Sequence, residues 1–147
     1  MRTFASPLAF STFLFELAVI DHAANTALEK AGEIVETEAR RVLGTHDYNW
    51  PPLQPETIAR KATGDSPLLE TGELRDSIHH NVDHSSVGRG RSAFIGSDDD
   101  KAVWHEYGTV RIPPRPFISS ALIHKEKEVV EAISQEIHAH ILSGPRP

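Results

Sequence analysis

The chain has no cysteine, which removes disulfides, thiolate metal sites and a cysteine nucleophile together. It also lacks an excess of positive charge. Lys and Arg number 15 against 21 for Asp and Glu, a formal net charge of -6, and a globally acidic surface repels phosphate backbones rather than recruiting them. A dedicated nucleic-acid binder is therefore disfavoured. No stretch approaches the roughly 20 apolar residues that a membrane-spanning helix requires. Leu8 to Ile20, following Arg2, imitates a secretory signal, but Ser11, Thr12 and Glu16 interrupt it and its spacing runs on into a helical pattern. With 39% hydrophobic and 24% charged residues, general disorder is excluded. A length of 147 residues is one domain's worth of chain, and residues 1–147 are read as a single domain.

Apolar residues at Phe13, Leu17, Ile20, Ala24, Leu28, Ala31, Val35, Ala39 and Val42 recur in steps of three and four. That spacing predicts a helix over about 12–43, capped at Ser11 or Thr12 and stopped at Gly44, with Arg40 and Arg41 suiting the dipole of its last turn. Such a rod overhangs the core that one small domain can build. Phe10, Phe13, Leu14 and Phe15 crowd its beginning with more apolar surface than one stripe hides, which points to cover from a neighbouring subunit. Pro51, Pro52, Pro55 and Gly64 mark an irregular connection, with a short helix at Pro55 to Lys61. Thr71 to Ile78 reads as a second short helix with Thr71 as its N-cap. Ile78 to Val87, a Gly88-Arg89-Gly90-Arg91 turn and Ser92 to Ser97 read as a β-hairpin. Ala102 to Tyr107 is one further turn of helix, closed by Gly108. Pro113, Pro114 and Pro116 make an extended arm that no central strand could contain. A second stripe of Ile118, Leu122, Val129, Val130, Ile133, Ile137 and Ile141 then predicts a helix over about 118–142, stopped by Gly144 and Pro145. The expected fold class is α+β, with long N-terminal and C-terminal helices packed on a small antiparallel sheet around a central β-hairpin.

Chemistry is sparse. His79, His80, His84, His138 and His140 are the densest of 9 histidines, but His79 and His80 point to opposite sides of a strand and His138 and His140 lie about 200° apart on a helix. Solvent-facing histidines are expected, not a metal site. Asp98, Asp99 and Asp100 lack the glycine turn and distant glutamate of a calcium loop. Ser77 with His79 or His80 has no strained elbow around the serine, so a small hydrolase is a remote reading. Arg89, Arg91 and Lys101 gather near the hairpin tip, with Arg111 and Arg115 in the proline arm. They read as charges that keep exposed edges soluble, since no aromatics interleave with them as a single-strand binder needs.

Several stretches taken together carry a resemblance. They are Trp50-Pro51-Pro52-Leu53 with Thr57, Arg60 and Lys61; Leu68-Leu69-Glu70-Thr71-Gly72-Glu73-Leu74-Arg75-Asp76-Ser77-Ile78; and Ala93-Phe94-Ile95-Gly96-Ser97. Trp104-His105-Glu106-Tyr107-Gly108-Thr109 and Ile112-Pro113-Pro114-Arg115-Pro116-Phe117 follow. In this order, over about residues 50–125, they resemble the tail-completion proteins of tailed bacteriophages. That superfamily includes minor tail components, head-tail joining proteins and virion morphogenesis proteins of the Mu type. The chain departs from the family pattern at Lys101-Ala102-Val103, where a Tyr-Ala step is usual.

The resemblance implies a structural protein of the neck, completing the tail and joining it to the DNA-filled head as a closed ring, typically a hexamer. Its partners would be further copies of itself and the neighbouring neck, tail-tube or terminator proteins. DNA would pass through the ring without specific binding, and the place of action would be the virion, reached from the host cytoplasm. No reaction, cofactor, metal or membrane is implied. The residues carried over are Leu69, Thr71, Gly72, Leu74, Ser77, Gly96, Trp104, Glu106, Tyr107, Gly108, Pro114, Arg115, Pro116 and Phe117. Leu69, Leu74 and Ile78 would pin the short helix on the sheet, Gly72 would allow tight approach and Gly96 would mark a bulge or close backbone contact. A tail terminator or stopper of the same neck fits the motifs equally. A nucleic-acid or protein binding module using the Gly-Arg-Gly-Arg hairpin is the alternative outside phages.

Overall fold

A computed structural model describes residues 7–83 and 91–143, with side chains from position 22 onward. The elements are α1 (Pro7–Val42), α2 (Pro55–Arg60), α3 (Glu73–Asp76), β1 (Ile78–Val82), β2 (Ala93–Ser97), α4 (Lys101–Tyr107) and α5 (Ile118–Leu142). Two long helices and a two-stranded antiparallel sheet make the expected α+β fold.

The first helix has 36 residues, or about 54 Å at 1.5 Å per residue. It begins at Pro7, so Ser11 and Thr12 lie inside it rather than capping it. Proline suits a first turn, where its missing N–H has no intrahelical acceptor to lose. At the other end Gly44 adopts φ 87°, and its N–H donates to the Pro67 carbonyl at 2.7 Å. The side chains of Phe10, Phe13, Leu14 and Phe15 fall outside the described residues, as do the Gly88 to Gly90 tip, Arg89, His84 and the Gly144-Pro145 stop.

The buried face of α1 is Ala23, Ala27, Ala31, Val35, Ala39 and Val42. Over residues 23–28 it is turned by one residue from the predicted stripe, leaving Ala24 and Leu28 only half-buried. A row of alanines at four-residue spacing lets α5 lie close along α1. The two run antiparallel: His140 sits by His22 with ring centroids 5.8 Å apart, Glu136 pairs with Lys30, and His124 stacks on Tyr48 at 4.4 Å. Because His22 faces the end of α5, the helix before it projects past that end. The predicted stripe of α5 is covered in part only. Ile118, Val129 and Ile133 are half-buried, while Leu122, Val130, Ile137 and Ile141 remain exposed.

The strands pair in regular register from Ile78↔Ser97 to Val82↔Ala93, and the Asp83 N–H continues to the Ser92 carbonyl at 2.9 Å. Alternation sends Ile78, His80 and Val82 toward α1. A Cβ at Gly32 would stand 2.5 Å from the His80 ring, so the missing side chain is what admits the imidazole to the helix surface. There His80 Nδ1 meets the Glu36 carboxylate at 2.5 Å, and the His80 backbone N–H donates to Glu36 at 3.0 Å. Arg40 completes the join, donating from Nε to the Ile78 carbonyl at 3.1 Å and pairing with Glu36 at 2.8 Å. The hydrogen bond to Glu36 holds His80 above its ordinary pKa against the opposing effect of burial. Below this join, Val35, Ala39, Val42, Leu43, Leu74 and Ile78 form the core with Ala102, Phe117 and Ala121.

Candidate assembly surface

The motif residues divide into those that build a clasp and those that stand outside it. Gly72, with φ 89°, is the N-cap of α3, one residue later than expected. Thr71 Oγ1 still accepts from the Glu73 N–H, at a long 3.4 Å. The backbone turn rather than close approach to the sheet is what demands glycine here, since a left-handed φ disfavours any Cβ. Leu74 is buried in the core, and Leu69 has a different neighbour. It covers the end of α1, its Cδ2 within 2.8 Å of where a Gly44 Cβ would be. Gly96 pairs with His79 without a bulge and has no atom within 4 Å of its missing Cβ, so it marks open space, not a close contact.

Glu106 is the hinge pin of the clasp. Its carboxylate accepts from the backbone N–H groups of Phe117, Ile118 and Ser119 at 2.9, 3.1 and 2.9 Å, and from the Ser119 hydroxyl at 2.5 Å. These are the donors that the first turn of α5 leaves without intrahelical partners, and a negative charge there suits the helix dipole. Between Glu106 and α5 the chain must reverse. Gly108 takes φ 76°, and a Cβ would press within 2.9 Å of the Pro114 nitrogen; the Thr109 hydroxyl accepts from the N–H groups of Arg111 and Ile112 at 3.2 and 3.1 Å. The Arg115 N–H then donates to the His105 carbonyl at 2.7 Å. The Arg115 side chain donates to the Pro51 carbonyl at 3.1 and 2.9 Å and to that of Pro52 at 3.3 Å. Pro114 stays exposed, Pro116 is half-buried, and Phe117 is fully buried at the start of α5.

Trp104 and Tyr107 do not join this packing. They are 49% and 79% exposed, although amphipathic rings of this size usually bury their bodies. Val103, Val110 and Phe94 are exposed beside them in sequence or on the neighbouring strand. Tyr107 and Val103, one helical turn apart, form the lip of a groove of about 720 Å³. Leu28 and Val35 of α1, Ile95 of β2 and Leu122 of α5 also line it. Of the exposed aromatics, Tyr107 is the one that borders the groove.

The other chemistry considered from sequence is not assembled. Ser77 Oγ donates to the Leu74 carbonyl at 2.7 Å and lies 2.6 Å from Ser97 Oγ, whereas the nearby His79 Nδ1 faces the Ser77 carbonyl. Ser77 and His79 form no nucleophile–base pair. Among the described residues no group of three or more His, Asp or Glu could hold a metal ion, and no helix is long and apolar enough to cross a membrane. Arg91 is tied to Asn25 of α1, away from Arg111 and Arg115. Sequence reasoning missed two features. One is the Gly32–His80 contact, signalled by a mid-helix glycine on the buried stripe. The other is Glu38, buried near the end of α1, which accepts from Arg41 Nε and Nη2 at 2.8 Å and from the Tyr48 hydroxyl at 2.9 Å. The Arg41 guanidinium above all holds the Glu38 carboxyl down at about 2. No family model, curated protein or solved structure matches the chain.

Proposed function

We propose that the protein is a structural component of a tailed-phage neck, completing the tail and joining it to the head as a ring of copies of itself. It would carry out no reaction and use no cofactor. One observation carries the reading: Tyr107 stands exposed on the lip of an apolar groove, with Trp104 exposed on the same helix, while other motif residues around them are consumed in the clasp. Large apolar surface left open next to a well-packed core is the mark of an interaction face. The ordered resemblance of residues 50–125 to tail-completion proteins supplies the kind of partner, and the exposed stripe of α5 supplies the second surface that a head-to-tail ring needs. A tail terminator or stopper of the same neck would use the same surfaces.

The test is deletion of the gene from its phage or prophage, followed by negative-stain electron microscopy of the lysate. Separated filled heads and finished tails, rescued by the wild-type protein but not by a folded Trp104→Ser/Tyr107→Ser variant, is the expected outcome. Intact infectious particles would overturn the neck reading. Salt-sensitive DNA binding by the purified protein would favour the binding-module alternative instead.

A further inference from the structure

A second cavity, of about 480 Å³, lies on the other side of the clasp, between α2, α3 and the proline arm. Its walls carry Lys61, Lys101, Arg111 and Arg115 against the two carboxylates of Glu70 and Glu73. The pocket is therefore net positive in a chain whose formal charge is -6. Arg115 is the unusual member. Only 6% of it is exposed, yet its hydrogen bonds go to carbonyls of Pro51 and Pro52 through Nε and Nη2, and no carboxylate faces it. Its Nη1 has no partner among the described residues. A buried guanidinium normally has a counter-charge, because desolvation without one is costly.

The neighbouring groups sharpen the point. His105 Nδ1 is buried without a hydrogen-bond partner. Burial, with repulsion from Arg115, Lys101 and Lys61, pushes the His105 imidazole below its ordinary pKa despite nearby Asp99. Lys61 is likewise lowered, first by burial and also by Arg115, against the opposing charges of Glu70 and Asp65. Lys101 reaches Glu73 at 3.5 Å, which leaves Arg111 exposed and without a side-chain partner among the described residues. Leu53, Leu68, Ile112 and Pro113 add apolar wall. The volume exceeds that of a bare ion and falls within the range of small-ligand sites.

We infer that this cavity binds an organic ligand through an anionic head, a phosphate or carboxylate, seated against Arg115 Nη1, Lys61 and Arg111 with its apolar part on Ile112 and Leu68. The site is separate from the assembly groove and does not depend on the neck reading. A fork of guanidinium donors is the geometry that recognises such heads.

The probe is phenyl phosphate, titrated into the full-length protein and followed by NMR of the histidine ring protons, with His105 assigned through a His105→Gln variant. Saturable binding is expected, tighter than that of inorganic phosphate and absent for phenol, and it should move the His105 titration to higher pH. Arg111→Ala should weaken binding about tenfold, as expected for one lost charge-assisted bond, while leaving the thermal midpoint of the free protein unchanged. Arg115→Lys tests the buried fork but also removes the tie to Pro51, so Arg111→Ala decides. No saturation at millimolar probe, equal binding of phenol, or an unaffected Arg111→Ala variant would overturn the site. Affinity that is independent of protein concentration identifies a free ligand as the occupant. Affinity that falls as protein is concentrated identifies a carboxylate supplied by a second copy.

Discussion

Where α1 and α5 meet the sheet, they are joined by Val35, Val42, Leu43, Leu74, Ile78 and Phe117, all buried. Farther along the same two helices, Ala23, Ala27 and Ala31 are the buried residues of α1, and α5 contributes none beyond Ala121. There the helices are tied by exposed groups, the Lys30–Glu136 pair and the His22–His140 contact, while Val130, Ile137, Ile141 and Leu142 face outward. The base is a core of interlocked side chains; the stem is a close pairing of backbones with its larger apolar groups left uncovered. At about 25 cal/mol for each Å² of apolar surface removed from water, covering the outer face of the stem favours association. The base gains nothing comparable from a partner. Buried packing and uncovered apolar surface thus lie in different parts of the same helices.

The largest effect is expected from Phe117→Ala. A fully buried aromatic at the junction of arm, α5 and core leaves a cavity, and the loss should be about 3 to 5 kcal/mol in chemical denaturation. Ile137→Ala, in the stem, should cost under about 1 kcal/mol, because a residue 41% exposed surrenders little buried surface. Equal losses at the two sites would erase the distinction between base and stem.

Glu106→Ala should rank next, at about 2 kcal/mol, since three backbone donors of the first turn of α5 lose their acceptor and the dipole its anion. Hydrogen exchange would accelerate at Phe117, Ile118 and Ser119 before it did at the stem. Glu106→Gln keeps an acceptor oxygen without the charge and should lose about half as much.

Two ties of the base should respond to pH, and acid should loosen the first. Glu38, held at about 2 in the fold against 4.5 otherwise, contributes stability that is complete above pH 4.5 and is lost as pH falls toward 2. Its partner Arg41 is half-exposed, so solvent screening reduces the contribution to about 1 to 2 kcal/mol. Glu38→Gln should flatten the stability profile over that acid range. The His80–Glu36 tie works oppositely on its histidine side. A raised His80 pKa gives stability that is complete below about 6.5 and fades as pH rises through the folded value, so His80→Gln should remove a decline in stability that sets in as pH rises past about 6.5.

Much of the base was legible in the chain and the stem less so, for a physical reason. Three- and four-residue spacing, the stops at Gly44 and Gly108 and the prolines before Phe117 depend on local backbone chemistry, and they placed the described helices within about five residues of their bounds. Periodicity could not say how a stripe is shared. Ala23 and Ala27 are buried in place of Ala24 and Leu28 because close helix pairing favours the smallest side chains, a choice made by the partner helix. Glu106 was legible as a motif residue, but its task of binding the first turn of α5 emerged only when the arm folded back. The cation pocket drew Lys61, Lys101, Arg111 and Arg115 from three separate segments, a gathering that no spacing in the sequence announces.

The smallest expected change in stability is also the sharpest test of the stem. Ile137→Asn combined with Ile141→Asn replaces two exposed apolar side chains with polar ones, and stability of the isolated chain should stay within about 0.5 kcal/mol of wild type. Oligomer formation, measured by light scattering across a concentration series, should nonetheless be lost if the outer face of α5 is covered by another chain. Losing only assembly would separate the two tasks of the helix. Retained assembly would confine the interface to the groove beside Tyr107, and a large loss of stability would mean that the stem contributes to the core despite its exposure.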